Sequence, residues 1–299
     1  MDRLEAMSIL IEVVDAGSLS AASRRLDIPL ATVSRKVGEL EAHLKTRLLN
    51  RTTRQLSLTE AGAAYLASCR RILEEVSEAE RSATGEYAAP KGYLVITAPV
   101  VFGRLHVVPV LADFLARYPE ISARLFLTDR STHMLEEHID VAVRVGSLPD
   151  STLVAVGIGQ LRLVSCASPD YLASHGTPMT PDELTDHACV AFEGLTSTRT
   201  WTFSVGKSEH PVQIRPRLVT NTAESAVDAA KLGVGVTRVL SYQAATALRE
   251  GRLRLVLEEF EPPSLPISLV HTGQLPVPRK LRAFLDFAQP SLQARLAAL

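Results

Sequence analysis

Leu4, Met7, Ile11 and Val14 recur at steps of three and four residues, so residues 2–15 are predicted to form an amphipathic helix. Ala16-Gly17-Ser18 interrupts the pattern, and Gly17 suits the left-handed position past a helix end. Ser18 or Ser20 caps a short second helix that runs through Leu26, whose Ala21-Ala22 pair admits a close neighbour. Asp27-Ile28-Pro29 makes a tight turn, with Pro29 suited to the first position of a third helix from about Leu30 to His43. Val33, Val37, Leu40 and Leu44 then form one apolar stripe. With Val33 at zero and roughly 100° per residue, Arg35 falls near 200° and Ala31 near 160°, flanked by Thr32 and Ser34 at about 100° to either side. The outward face therefore carries small residues, hydroxyls and an arginine.

Alternating Leu56 and Leu58 predict a strand, preceded by a loop that holds Arg51, Thr52, Thr53 and Arg54. Thr59 caps the next helix. Along it Tyr65, Cys69, Ile72, Val76, Ala79 and Ala83 are spaced as a heptad seam, bordered by Arg70, Arg71, Glu74, Glu75, Glu78 and Glu80. Such a stripe needs a partner surface, expected to be a second copy of the chain rather than its own domain. Gly85 to Gly92, with Pro90 and Lys91, is expected to be a hinge.

Beyond it, apolar runs alternate with helical patterns. Strands are predicted at Tyr93–Ala98, Arg124–Thr128, Asp140–Val145, Leu161–Ala167, Cys189–Phe192, Val212–Val219 and Pro266–Val270. Helices are predicted at Leu105–Tyr118, 169–174, 223–232, 241–249 and about 278–297. This alternation implies an α/β domain with largely parallel sheets in two lobes, the last strand and helix returning to the first sheet.

A chain of 299 residues fits two domains. Hydrophobic residues at 46% and charged residues at 22% exclude disorder, and no apolar run reaches the roughly 18 residues of a membrane span. The acidic N-terminus does not resemble a secretory signal, and three scattered cysteines without a CxxC pair exclude a disulfide framework and most zinc sites; a cytoplasmic protein is expected. The net charge of −1 conceals a division. Residues 24–59 carry eight basic and three acidic side chains, while 1–23 and 60–88 each sum to −3 and the remainder balances. A confined basic block on the short-turn helix pair points to a polyanion, with the third helix reading bases. Arg35 can take guanine bidentately; Arg51 and Arg54 can hold phosphates or enter a minor groove.

Gly17-Ser18-Leu19-Ser20-Ala21-Ala22, Val33-Ser34-Arg35-Lys36-Val37, Leu40-Glu41, Arg51-Thr52-Thr53-Arg54 and Leu58-Thr59-Glu60-Ala61-Gly62 follow the order and spacing of one family. Residues 1–88 resemble the winged helix-turn-helix of LysR-type transcriptional regulators. The resemblance implies an all-α winged helix-turn-helix (1–59), a linker and dimerisation helix (60–89), and a two-lobed α/β effector domain similar to periplasmic binding proteins (90–299). Lobe I would span about 90–161 and 266–299, and lobe II about 162–265. It further implies double-stranded DNA, a small-molecule effector, a homodimer or homotetramer, and RNA polymerase at promoters as partners, with no cofactor and no membrane. The candidate DNA contacts are Ser18, Ser20, Leu30, Ala31, Thr32, Ser34, Arg35, Lys36, Arg51, Thr52, Thr53 and Arg54. Leu30-Ala31 departs from the family's usual polar residue and proline, leaving Leu30 only an apolar contact such as a thymine methyl. Lys45 stands where glycine is usual.

Ligands of open α/β sheets sit beyond the C-terminal strand ends. That rule selects Thr97, Pro99, Val100, Val101, Asp129, Ser131, Arg144, Thr196, Thr198, Asn221, Gly235 and Arg238 as effector candidates. Catalysis is not expected. His133 and His138 are about 140° apart on a helix, Gly157-Ile158-Gly159 lacks the dinucleotide glycine pattern, and neither a nucleophile elbow nor a phosphate loop is present.

Overall fold

The computed structural model describes residues 1–51, 56–84, 89–130, 134, 138–148, 153–194, 197–273 and 277–298, with backbone alone at 51, 78 and 81–84. The chain divides into two units, Met1–Tyr93 and Leu94–Leu299.

In the first unit α1 (Arg3–Asp15) begins where the Asp2 carboxylate accepts from the amides of Leu4 and Glu5. Helix α2 (Leu19–Leu26) is capped by Ser18, whose Oγ accepts from Ala21 N at 3.1 Å; Ser20 lies inside the helix. Helix α3 (Leu30–Leu44) takes Pro29 as its N-cap, one position earlier than the sequence pattern places it. Lys45 ends α3 with φ 51, which explains why glycine suits that position: the left-handed region costs a side chain-bearing residue roughly 1–2 kcal/mol. Strands β1 (Leu49–Arg51) and β2 (Leu56–Leu58) pair antiparallel, and α4 (Glu60–Thr84) follows. Val33, Val37 and Leu40 are fully buried with Leu10 and Val13 of α1 and Ala22 of α2.

The second unit opens with β3 (Gly92–Ala98) and a continuous helical run: α5 (Val100–Phe102), a π turn (Gly103–Val107) and α6 (Val108–Arg117). The run therefore starts five residues before the predicted Leu105. After β4 (Ile121–Leu127), β5 (Val141–Val145) and β6 (Leu153–Leu161), the chain crosses into lobe II. Lobe II holds β7 (Leu163–Ala167), α7 (Pro169–His175), β8 (Ala188–Phe192), β9 (Thr200–Val205), β10 (Ser208–Gln213), β11 (Arg215–Thr220), α8 (Ala223–Lys231), β12 (Val236–Leu240), α9 (Ser241–Arg249) and β13 (Arg254–Val256). The chain then returns through β14 (Leu265–Thr272) and α10 (Arg279–Ala297) to lobe I.

The lobe I sheet has the order β4-β3-β5-β14-β6, and the lobe II sheet β11-β8-β12-β7-β13. Both are mixed rather than largely parallel: β14 runs antiparallel to β5 and β6, and β7 antiparallel to β12 and β13. The predicted strand Val212–Val219 is two strands broken at Ile214, one in the β9–β10 hairpin and one at the sheet edge. Trp201 and Phe203 of the hairpin are buried against the lobe II sheet. Where the chain passes between lobes, Arg162 grips Glu261 with both nitrogens, Nε to Oε2 at 2.8 Å and Nη2 to Oε1 at 2.7 Å. Among the described residues no single helix is long and apolar enough to cross a membrane.

Candidate functional site

Burial of the Val33 stripe turns the opposite face of α3 outward. Leu30, Ala31 and Arg35 are exposed, with Thr32 and Ser34 half-buried beside them. Gly38 lies on the same outward face, and a Cβ built there meets nothing within 4 Å. Arg35 Nη1 lies 2.5 Å from Glu39 Oε1, an exposed i,i+4 pair that holds the guanidinium along the helix. Lys36 departs from expectation. It lies near 300° from Val33 by the same helical count, its side chain is only 14% exposed, and it pairs with Glu5 of α1. It joins two helices instead of facing outward.

Exposed cations missed as candidates lie on the neighbouring segments: Arg24 on α2, and Lys45 and Arg47 just past α3. Their signal was charge alone, without helical phase to orient them. Arg25, also exposed, is tied to Glu12 at 3.1 Å. The acid at Glu41 anchors the strand pair, Oε1 accepting from Leu48 N at 2.8 Å and Leu49 N at 3.1 Å. Thr59 Oγ1 donates to Arg47 O at 2.7 Å and accepts from Gly62 N at 2.9 Å, so it both ties down the wing's root and caps α4. Of the wing candidates, Thr52, Thr53 and Arg54 lie outside the described residues, as does the side chain of Arg51.

The seam on α4 divides. Cys69 is fully buried in the first unit's own core, with Tyr65 and Ile72 packed against that core. At these three positions the stripe packs on its own domain, because α1 lies along α4. Val76 is half-buried and Ala79 exposed; the side chain of Ala83 lies outside the described residues. Burial pushes the Cys69 thiol up to about 11, and Cys166 and Cys189 to about 12. None is a reactive thiolate at neutral pH.

Between the lobes lies a cavity of about 560 Å³. Lobe I lines it with Thr97, Pro99, Asp129 and Arg144 among others, and lobe II with Phe192, Leu240, Tyr242 and Gln243. Asp129 Oδ1 accepts from Val100 N at 3.1 Å and so occupies the start of the first helical run. Asp129 Oδ2 and Thr97 Oγ1 are buried without a partner. Burial raises the Asp129 carboxyl above its ordinary range, opposed by the Val100 hydrogen bond and reinforced by nearby Glu224. Gly194 of lobe II packs closely there: an added Cβ would stand 3.1 Å from the Cβ of Asp129.

The other effector candidates fall elsewhere. Val101 is buried in the lobe I core, and Val100 donates its backbone amide to Asp129. Gly235 packs on the Ala188 carbonyl, leaving 2.1 Å for a Cβ. Arg238 sits beneath the β9–β10 hairpin, donating to Thr202 O at 2.7 Å with its guanidinium 4.3 Å from the Phe203 ring centroid, and burial pulls it down to about 10. Thr198 and Asn221 do not line the cavity. Ser131 and Thr196 lie outside the described residues, as do His133 and 135–137; His138 has φ 52 and belongs to a turn. Tyr242 and Gln243 were missed because β12 was not recognised, although the strand-end rule applied to Leu240 leads to them.

Comparison with known proteins matches residues 4–63 to the family described as bacterial regulatory helix-turn-helix protein, lysR family, and residues 88–293 to the LysR substrate binding domain. An HTH-type transcriptional regulator of Xanthomonas campestris pv. campestris is 38% identical over 93% of this chain and 82% of its own length. The structure of CrgA, a LysR-type transcriptional regulator from Neisseria meningitidis, aligns with TM-score 0.61 at 34% identity, covering 96% of this chain and 98% of that one. The full-length Vibrio cholerae virulence activator AphB aligns with TM-score 0.61 at 29% identity over 95% of this chain and 98% of that one. With a winged helix-turn-helix whose third helix turns Arg35 outward, and a two-lobed domain with a cavity between the lobes, this chain belongs to the LysR family of transcriptional regulators.

Proposed function

We propose that α3 reads an operator in the major groove and that a small molecule held between the lobes modulates that binding. The observation that carries the reading is the outward face of α3, with Arg35 exposed at the centre of the only net-positive block in the chain. In this reading Arg35 takes guanine N7 and O6, Thr32 and Ser34 supply hydroxyls to bases or phosphates, and Arg51 to Arg54 hold the backbone beside it. Ser18 and Ser20 lie at the start of α2, where a helix crosses the phosphate backbone in this motif. Residues 1–59 form the DNA-binding part, 60–89 the linker and 90–299 the effector domain. The C-terminal half of the α4 stripe, from Val76 onward, pairs with a second copy, and the resulting oligomer acts on RNA polymerase at a promoter.

The effector side rests on the cavity, whose volume falls within the roughly 300–1,000 Å³ typical of ligand sites. A ligand shifts DNA binding only through different affinity for the two lobe arrangements. Selection of sites from random duplexes with full-length protein, followed by titration across salt, tests the reading. The expected result is one recurrent motif, strong salt dependence, and loss of about 1–3 kcal/mol with relaxed guanine preference in Arg35→Ala. Recovery of no motif, or an unchanged guanine preference in Arg35→Ala, would overturn it.

A further inference from the structure

Leu30 is the first residue of α3 and is 45% exposed, an isobutyl group that the rest of the first unit covers only in part. Nothing polar accompanies it at the helix start: Pro29 is the N-cap and offers no side-chain hydrogen bond, and the next residue is Ala31. An aliphatic side chain cannot discriminate the hydrogen-bonding pattern of a base edge. In the major groove its one apolar counterpart is the methyl group at C5 of a pyrimidine.

We propose that Leu30 reads a pyrimidine 5-methyl group and nothing else at its position, so that 5-methylcytosine substitutes there for thymine and the operator is sensitive to cytosine methylation. The inference rests on the reading of α3 as the base reader and adds the chemical feature that its first turn recognises. Thymine presents a methyl beside an O4 acceptor, and 5-methylcytosine the same methyl beside an N4 donor. A residue with neither donor nor acceptor takes both alike.

The test uses full-length protein and the selected duplex, with four pairs installed in turn at each thymine of the selected motif, the effect being expected at one of them: thymine–adenine, uracil–adenine, 5-methylcytosine–guanine and cytosine–guanine. Expected is a loss of about three- to fourfold from thymine to uracil, the worth of one buried methyl-sized group. The same factor is expected from 5-methylcytosine to cytosine, because each comparison removes only the methyl. Leu30→Gln should bring both factors to one, and Leu30→Met, which stays apolar, should keep both. Leu30 lies outside the buried core, so the melting temperature of each variant, equal to that of the parent, checks that folding is intact. A thymine-to-uracil factor of one, a methyl effect on thymine but not on cytosine, or factors that survive Leu30→Gln would each overturn the proposal while leaving the Arg35 result standing. Loss of any selected motif would instead overturn the reading of α3 itself.

Discussion

Gly38 in α3 and Gly235 before β12 occupy opposite surroundings. A Cβ at Gly38 meets nothing within 4 Å, whereas one at Gly235 would stand 2.1 Å from the Ala188 carbonyl oxygen. In the first unit glycine leaves open space beside a helix, which in the proposed reading lets that helix approach DNA closely. In the second it lets two backbone segments meet, without which β12 would not lie against β8. The proposed DNA-reading face is thus a matter of what one helix leaves outside. The cleft depends on which distant segments come together inside.

The largest effect that sharpens this contrast is expected from Gly235→Ala. Overpacking against backbone costs about 1–3 kcal/mol, read as a lower midpoint in chemical unfolding of the full chain. Gly38→Ala is expected to do the reverse to stability, raising it by about 0.5–1 kcal/mol, while weakening DNA binding because a methyl now stands on the approach face. A variant that gains stability and keeps full DNA affinity would show that α3 does not come close to the groove. Lys36→Gln should cost about 0.2–1 kcal/mol through its ion pair with Glu5 and leave the salt slope of DNA binding unchanged. A slope lower by about one unit would return Lys36 to the DNA contacts.

The smallest effect concerns Asp129. Its folded carboxyl is raised, so the native state holds the proton more tightly than the unfolded chain. Stability from this group is therefore lost as pH rises from the ordinary carboxylate value of about 3.9 through the folded value, and the whole cost is present at neutral pH. Asp129→Asn, which keeps an oxygen for Val100 N, is expected to melt higher than the parent at pH 7.5, with the gap closing as the pH approaches 4. A gap independent of pH would mean that charge is not its cause.

How much of this was legible follows from the same contrast. Helices α1 and α3 follow from apolar residues at three- and four-residue steps and α2 from its serine cap, and the phase of α3 alone orients Arg35 outward. It also turns Lys36 toward the core side, a consequence that the motif match concealed. Cys69 fits a heptad seam equally well whether α1 or a second copy covers it, and only the packing of α1 along α4 decides between them. In the second unit Thr97, Pro99, Asp129 and Arg144 follow from the strand-end rule. Tyr242 and Gln243 do not, because Thr237 and Arg238 interrupt the apolar run of β12 and conceal the strand. Arg238, a charged residue in an apolar run, invites a ligand role by composition; the hairpin carrying Trp201 and Phe203 covers it, and the pairing of β9 with β10 was not read from sequence.

The grip of Arg162 on Glu261 ties together the way into lobe II and the way out. The clasp closes residues 163–260 into one loop, so lobe II is an insertion whose two ends leave lobe I at a single place. Phe102 of lobe I meets Tyr242 of lobe II with ring centroids 5.6 Å apart, and Tyr242 lines the cavity, so the lobes also meet beside the space they share.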